Sequence, residues 1–332
     1  MPRPTIEEVA ALAGVSRSTV SRVVNGSSAV SPEALSAVQD AIARLGYAPN
    51  RAARSLASRQ THAIGLVVPE DTTRFFGDPF LASVVAGISS RLAESEYILN
   101  LLIASDDPDG KMTRFVRNGG VDAAIIVSHH ASDSFVERIA EAVPVVFGGR
   151  PATVRTSDII VDVDNMTAAR DAVAHLIALG RTRIATITGT MTMSVSVDRR
   201  DGYRAALADA GLQSAGEIDG DFSEQGGAEA ARQLLARDER PDAIFVASDL
   251  MARGAIGVLR SAGLRVPHDV AVIGFDDSAV AEASDLTSVR QPMFTQGEML
   301  AGMVIDLLAG RRPEPLTILP TELVVRGSAP AV

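Results

Sequence analysis

The 332-residue chain contains no cysteine. That excludes a disulfide scaffold, a thiolate zinc site and a cysteine nucleophile, and it suits a reducing cytosol. Long apolar runs are also missing. The longest unbroken stretches, such as Ala123–Val127, have the length of a strand, so nothing in the sequence is expected to span a membrane. The opening MPRPTIEEVAALAG carries two acids within its first eight residues and lacks the apolar core of a secretory leader. The expectation is a cytoplasmic protein. Catalytic signatures are absent too: there is no G-x-S-x-G, no P-loop and no dinucleotide G-x-G-x-x-G. The histidines His62, His129, His130, His175 and His268 lack metal-ligand spacing. Asp276-Asp277 could pass for a catalytic carboxylate pair, but a ligand-binding acid at a strand end followed by a helix cap accounts for both. No enzyme activity, metal or cofactor is therefore expected.

What the chain does contain is apolar material for large cores, 46% of its residues, over a length suited to two or three domain-sized units. Its net charge of −10 is unevenly spread. Residues 1–60 carry +3 and the remainder −13. A small basic head on an acidic body suits local contact with DNA and a body that phosphates repel. Ordinary fluctuation of surface charge could give the same numbers.

The head reads as three short helices. Thr5 stands as an N-cap with Glu8 three residues on, the spacing of a capping box, and Ile6, Val9, Ala10 and Ala13 recur at helical intervals. Gly14 stops that helix, Ser16 caps a second over Arg17–Val24, and Asn25-Gly26 ends it. Ser31-Pro32-Glu33 opens a third helix, whose stripe is Leu35, Val38, Ile42 and Leu45 and whose stop is Gly46. Two helices joined by a tight glycine turn are the layout of a helix-turn-helix. The second carries Arg17, Ser18, Thr19, Ser21, Arg22 and Asn25 against three valines. That face could read base edges and phosphates; a solvated amphipathic helix fits the same pattern. Pro49 then breaks the chain, and Asn50 can cap a short arginine- and alanine-rich helix whose one large apolar residue is Leu56. A plain linker is the alternative.

From Thr61 the texture changes to βα repeats. Apolar strand candidates include Ala63–Val68, Ile98–Ile103, Ala123–Ser128, Val143–Phe147, Ile159–Val163, Ile184–Thr188, Ala243–Ala247, Val270–Phe275 and Leu316–Val325, with amphipathic segments between them. Such alternation predicts α/β architecture with two doubly wound parallel sheets, and ligands at the carboxyl ends of the strands.

The order of these features resembles the lactose-repressor (LacI/GalR) family of transcription regulators. The resemblance runs the whole length and rests on TIEEVAALAGVSRSTVSRVVN, PNRAARSLASRQT followed by IGLVVP, DNMTAARDAVAHLIALGRTRIATITG, DRRDGYRAALADAGL, ASDLMARGAIGVLR, and VAVIGFDD with LTSVRQP. It implies a helix-turn-helix domain over residues 1–48, a hinge helix and linker over 49–60, and a periplasmic-binding-protein-like effector core over 61–332. The core would divide into an N-subdomain of about 61–161 and 292–318 and a C-subdomain of about 162–291 and 319–332. Within the family, the sequence is similar to actinobacterial regulators of cellulose and β-glucoside use.

The resemblance assigns roles residue by residue. Arg17, Ser18 and Arg22 would read the major groove. Thr5, Ser16, Thr19, Ser21, Asn25 and Ser31 would position phosphates, with Asn50 at the start of the hinge helix. Leu56 would wedge into the minor groove at the operator centre; its alternative is a hydrophobic staple under the core. Asp78, Phe80, Ser128, Arg150, Arg199, Phe222, Asp249 and Asp276 would line the effector pocket, Asp249 alternatively capping the helix it precedes. Carboxylates, a guanidinium and aromatic faces suit a sugar. One departure stands out: where many members carry an Asp-Arg pair, this chain has Gly148-Gly149-Arg150. The two glycines imply a roomier pocket, for a disaccharide such as cellobiose. A non-sugar ligand, or one that strengthens DNA binding, is the alternative. The loop Glu70–Asp78 looks long. No leucine heptad follows Val325-Arg326-Gly327, so a homodimer on a pseudo-palindromic operator is expected.

Overall fold

The computed structural model describes residues 4–24, 29–47, 60–103, 105 and 107–331. The chain divides into two compact units, Met1–Thr61 and His62–Val332. Asn25, Asn50, Leu56 and the expected hinge helix lie outside the described residues.

The first unit holds α1 (Ile6–Ala13), α2 (Arg17–Val24) and α3 (Pro32–Leu45). The capping box read from the sequence is formed: Glu8 N–H donates to the Thr5 hydroxyl at 3.3 Å, and Thr5 N–H donates to the Glu8 carboxylate at 2.7 Å. Gly14 and Gly46 close α1 and α3 in the left-handed conformation, with φ of 65° and 61°. Val9, Ala10, Val20, Val38 and Ala41 form the core of this unit.

The second unit contains two six-stranded sheets. The first comprises β1 (Ala63–Val68), β2 (Ile98–Ile103), β3 (Ala123–Val127), β4 (Val145–Gly148), β5 (Ile159–Val163) and β11 (Leu316–Leu319), in the order β11-β5-β4-β3-β1-β2. All its strand pairs are parallel. The second comprises β6 (Ile184–Thr188), β7 (Gly216–Asp219), β8 (Ala243–Val246), β9 (Ala271–Asp276), β10 (Thr287–Arg290) and β12 (Glu322–Val324), in the order β12-β10-β9-β8-β6-β7. Here only β12 runs antiparallel, against β10. β1, β3, β5, β6, β8 and β9 are buried at every position, which explains their largely apolar sequences.

Helices cover both faces. α5 (Pro79–Leu92) and α13 (Met293–Leu308) bury Leu81, Val84, Ile88, Leu300 and Val304 against the first sheet. α8 (Asn165–Ala178), α9 (Ser194–Asp209), α10 (Glu224–Leu235) and α11 (Asp249–Ser261) serve the second. The short helices are α4 (Thr72–Gly77), α6 (Lys111–Arg117), α7 (Ser134–Ala140) and α12 (Ala279–Ser284).

The stretch Leu316–Val325, expected as one strand, breaks at Pro320 into β11 and β12, which belong to different sheets. Proline has no N–H to continue a ladder, and the break lets the chain cross between sheets. The other crossings follow β5 and β10. The first sheet keeps β5 through Val163 and β11 through Leu319, so the crossings fall one or two residues beyond the boundaries expected near 161 and 318.

Candidate functional site

In each sheet the chain order reverses beside its first strand, between β3 and β1 and between β8 and β6. Crevices at such points collect ligands in doubly wound folds. Here the carboxyl ends of both sheets enclose one cleft of about 690 Å³, including its open mouth.

Arg199 is the central cation. It projects from α9 and is only 5% exposed. Its Nε donates to Asn165 Oδ1 at 2.9 Å, and its Nη1 donates to the Ala247 carbonyl at 2.6 Å. The guanidinium carbon lies 3.6 Å from the centre of the Phe275 ring. Burial pulls its pKa below the ordinary value, and the nearby carboxylates of Asp276, Asp162 and Asp249 push back. Asn165 is itself held by Asp162, to which its Nδ2 donates at 3.0 Å; Asp162 also accepts the Arg150 N–H at 2.9 Å. The first crossing between sheets thus places the arginine.

Asp276 ends β9 with φ of 116°, a conformation an L-residue rarely adopts, and it is 7% exposed. Gln291, at the second crossing, donates to its Oδ1 at 2.6 Å. Burial raises the pKa of this acid well above the usual carboxylate range; Asp249 raises it further and Arg199 opposes both. Across the cleft, Asp78 caps α5 by accepting the Phe80 N–H at 2.9 Å, and burial raises its pKa as well. Phe222 also has a left-handed backbone, φ 62°, which turns its ring onto the bare face of Gly189. A side chain at Gly189 would collide with that ring.

Of the residues expected in the pocket, Asp78, Phe80, Ser128, Arg150, Arg199, Phe222 and Asp276 line this cleft. Asp249 does not. It is fully buried behind the wall, where its carboxylate accepts from Ser278 N at 2.7 Å, Ser278 Oγ at 3.0 Å and Ser288 Oγ at 2.6 Å. Nor is it the cap of α11, a role taken by Ser248. Asp277 does not cap α12 either; Ser278 does, and Asp277 pairs with Arg290 at 2.8 Å and Arg326 at 2.6 Å. The glycine pair divides in role. A Cβ on Gly148 would press on Val127 and Leu300, whereas one on Gly149, φ 91°, would meet Val195 at 3.9 Å, an ordinary contact distance.

Sequence reasoning missed Arg74, His129, Asp162, Ser248, Gln291 and Gln296, all of which line the cleft. The long loop after β1 is where Arg74 could have been found. The glutamines had no signal, because only the crossings bring them to the site. Among the described residues no cluster of His, Cys, Asp or Glu could hold a metal ion.

In the first unit, Ser16, Arg17, Ser18 and Arg22 are exposed on or beside α2. Ser16 Oγ lies 2.7 Å from Ser18 Oγ and 2.9 Å from Thr19 Oγ1, and it accepts the Thr19 N–H at 3.1 Å. Ser31 caps α3 by accepting the Ala34 N–H at 3.3 Å. A hydroxyl that accepts at a cap can still donate its proton to a phosphate. Arg17 pairs with Glu7 at 3.3 Å, but both side chains are exposed, and such pairs are weak enough to yield to DNA.

Three short helices with a polar, exposed second helix, together with a cleft between two doubly wound sheets, define a class: a ligand-responsive DNA-binding regulator. Residues 5–50 match the model for bacterial regulatory proteins of the lacI family, and residues 173–329 match that for a periplasmic binding protein-like domain. The chain is 44% identical over 334 residues to the HTH-type transcriptional regulator CelR of Thermobifida fusca, covering 98% of each. It is 36% identical to the ribose operon repressor of Escherichia coli K12, covering 98% of this chain and 99% of that one. Among solved structures, a CelR–cellobiose complex superposes with a TM-score of 0.77 at 42% identity, covering 98% of this chain and 100% of that one. The lac repressor dimer bound to operator and an anti-inducer superposes at 0.85 and 29%, covering 99% and 100%. The chain belongs to the lacI family of bacterial transcription regulators.

Proposed function

We propose that this protein represses transcription as a homodimer on a pseudo-palindromic operator and releases it when a disaccharide such as cellobiose fills the cleft. The observation that carries this reading is the buried Arg199 and Asp276, with the half-buried Asp78 and the rings of Phe80 and Phe222, in one cleft. Sugar hydroxyls both donate and accept, so carboxylates and a guanidinium take them in pairs, while rings pack on C–H faces. Two of the three nitrogens of Arg199 are committed to Asn165 and Ala247, which fixes the guanidinium and leaves the third for a ligand. Gly149 lines the cleft without a side chain, which leaves room toward a second sugar ring, and the likeness to a cellobiose-bound CelR supports the same ligand class.

The first test is a thermal-shift screen of the full chain against mono- and disaccharides and purines, since a ligand that binds only the folded state raises the melting temperature. Stabilisation by cellobiose is expected. Stabilisation by a purine alone would replace the sugar reading with a co-repressor reading. Arg199→Ala and Asp276→Asn should keep operator affinity in fluorescence anisotropy and lose the response to cellobiose. That response should correspond to about 1–3 kcal/mol of coupling in the parent. A normal response in both variants would place the ligand elsewhere.

A further inference from the structure

Among the described residues, and beyond those at the chain crossings, four polar links cross the cleft between the two sheets, and two of them are anchored on one acid. Glu70 follows β1 and is 6% exposed. Its Oε1 accepts from Ser128 Oγ at 2.7 Å and lies 3.3 Å from His130 Nε2, while its Oε2 is 3.3 Å from Arg74 Nε. All four residues sit on the first-sheet side. Arg74 and His130 then reach the other side. Arg74 Nη1 donates to the Asp221 carbonyl at 2.9 Å, and its guanidinium carbon stands 5.5 Å from the centre of the Phe222 ring. His130 Nδ1 lies 2.7 Å from Thr192 Oγ1, and the Ala131 N–H donates to the Thr192 carbonyl at 2.8 Å. The remaining link, Arg150 to Asp198 at 2.7 Å, is separate.

The topology gives these links leverage. The chain crosses between sheets from β5, β10 and β11, which lie at one edge of each sheet with β12. Glu70, Arg74 and His130 follow β1 and β3, and Thr192 and Asp221 follow β6 and β7, toward the opposite edges. If the crossings act as the hinge, this is the side where opening is widest.

We propose that Glu70, Arg74 and His130 form a clasp on the hinge-distal side that holds the cleft closed, with Glu70 as the positioning residue, so that the clasp sets how long a ligand stays bound. The inference rests on the reading of this cleft as the effector site. A carboxylate this buried needs the donors packed around it, here Ser128, His130 and Arg74. Opening the cleft removes the far-side partners of Arg74 and His130 but leaves both on Glu70, in position to close again. The six-residue helix α4, capped by Asp71, carries Arg74 one turn beyond Glu70.

The absence of cysteine permits a direct test in the full chain. Glu141→Cys and Glu239→Cys place spin labels on exposed residues of the two sides. Without ligand, double electron–electron resonance should show longer label separations in Arg74→Met and Thr192→Val than in the parent. In stopped flow, cellobiose should leave Arg74→Met and Glu70→Gln about tenfold faster, the scale of one hydrogen bond to a charged group. Thr192→Val removes a single exposed hydroxyl, so it remains informative if a Glu70 variant fails to fold. Separations and dissociation rates unchanged in Arg74→Met overturn the clasp, as does a ligand-free parent already as open as that variant. If the parent binds no cellobiose, the effector reading falls, and the label separations alone decide the clasp.

Discussion

Asp249 and Asp276 both follow strands and both are expected in the pocket, Asp249 with a helix cap as its alternative, and the structure separates them by what each carboxylate touches. Asp276 faces the cleft; Asp249 is enclosed by Ser278 and Ser288. Burial pushes the Asp249 acid up to about 6, against about 3.9 for an unfolded chain. Between those values the folded protein binds the proton more tightly than the unfolded chain does. The contribution of this group to stability therefore falls as pH rises through that window. Asp249→Asn removes the titration, so stability from urea melts should fall less between about pH 4 and about pH 6 in the variant than in the parent. The variant also loses an acceptor oxygen, at about 1–3 kcal/mol. An identical pH dependence would mean that the three hydrogen bonds keep the acid ionised throughout. Strand-end position was legible in the sequence; which way a side chain points after the turn was not, because backbone such as the φ of 116° at Asp276 is imposed by its neighbours.

At the scale of elements, the apolar runs and caps predicted most of the core strands and all three helices of the first unit. The exceptions have more than one cause. β7 has one large apolar residue, Ile218, because it is an edge strand, and α4 is too short to show a period. The close packing of helix pairs was equally hidden. α5 and α13 meet at Gly87 and Gly297, where a Cβ on Gly87 would collide with the Phe294 carbonyl and one on Gly297 with the Val84 carbonyl. α10 and α11 meet in the same way at Gly227 and Gly254. Backbones this close admit no side chain, so Gly87→Ala should force the helices apart and cost about 1–3 kcal/mol. A lowered midpoint in urea with an unchanged slope is the expected result; an unchanged midpoint would mean that the pair relaxes without loss.

At the scale of the whole molecule, the split of charge leaves residues 1–60, where family members bind DNA, net positive on an otherwise acidic chain. Leu56, expected as a minor-groove wedge, gives the corresponding prediction. Leu56→Ala should weaken operator binding far more than binding to random DNA, because unstacking a base step is tied to the operator-bound geometry. Equal losses on both DNAs in parallel anisotropy titrations would remove the wedge. The sequence by itself determined most of the elements, the family and part of the cleft lining, since caps, periodicity and motif order are local and survive without a partner. Only the tertiary structure decided which residues share the cleft. Gln291 and Gln296 join it because the chain crosses between the two sheets, Arg74 because the loop after β1 folds over the cleft, and Asp249 leaves it because neighbouring hydroxyls claim its carboxylate. Those are contacts between residues far apart in sequence, set by how two sheets face each other and not by any residue's near neighbours.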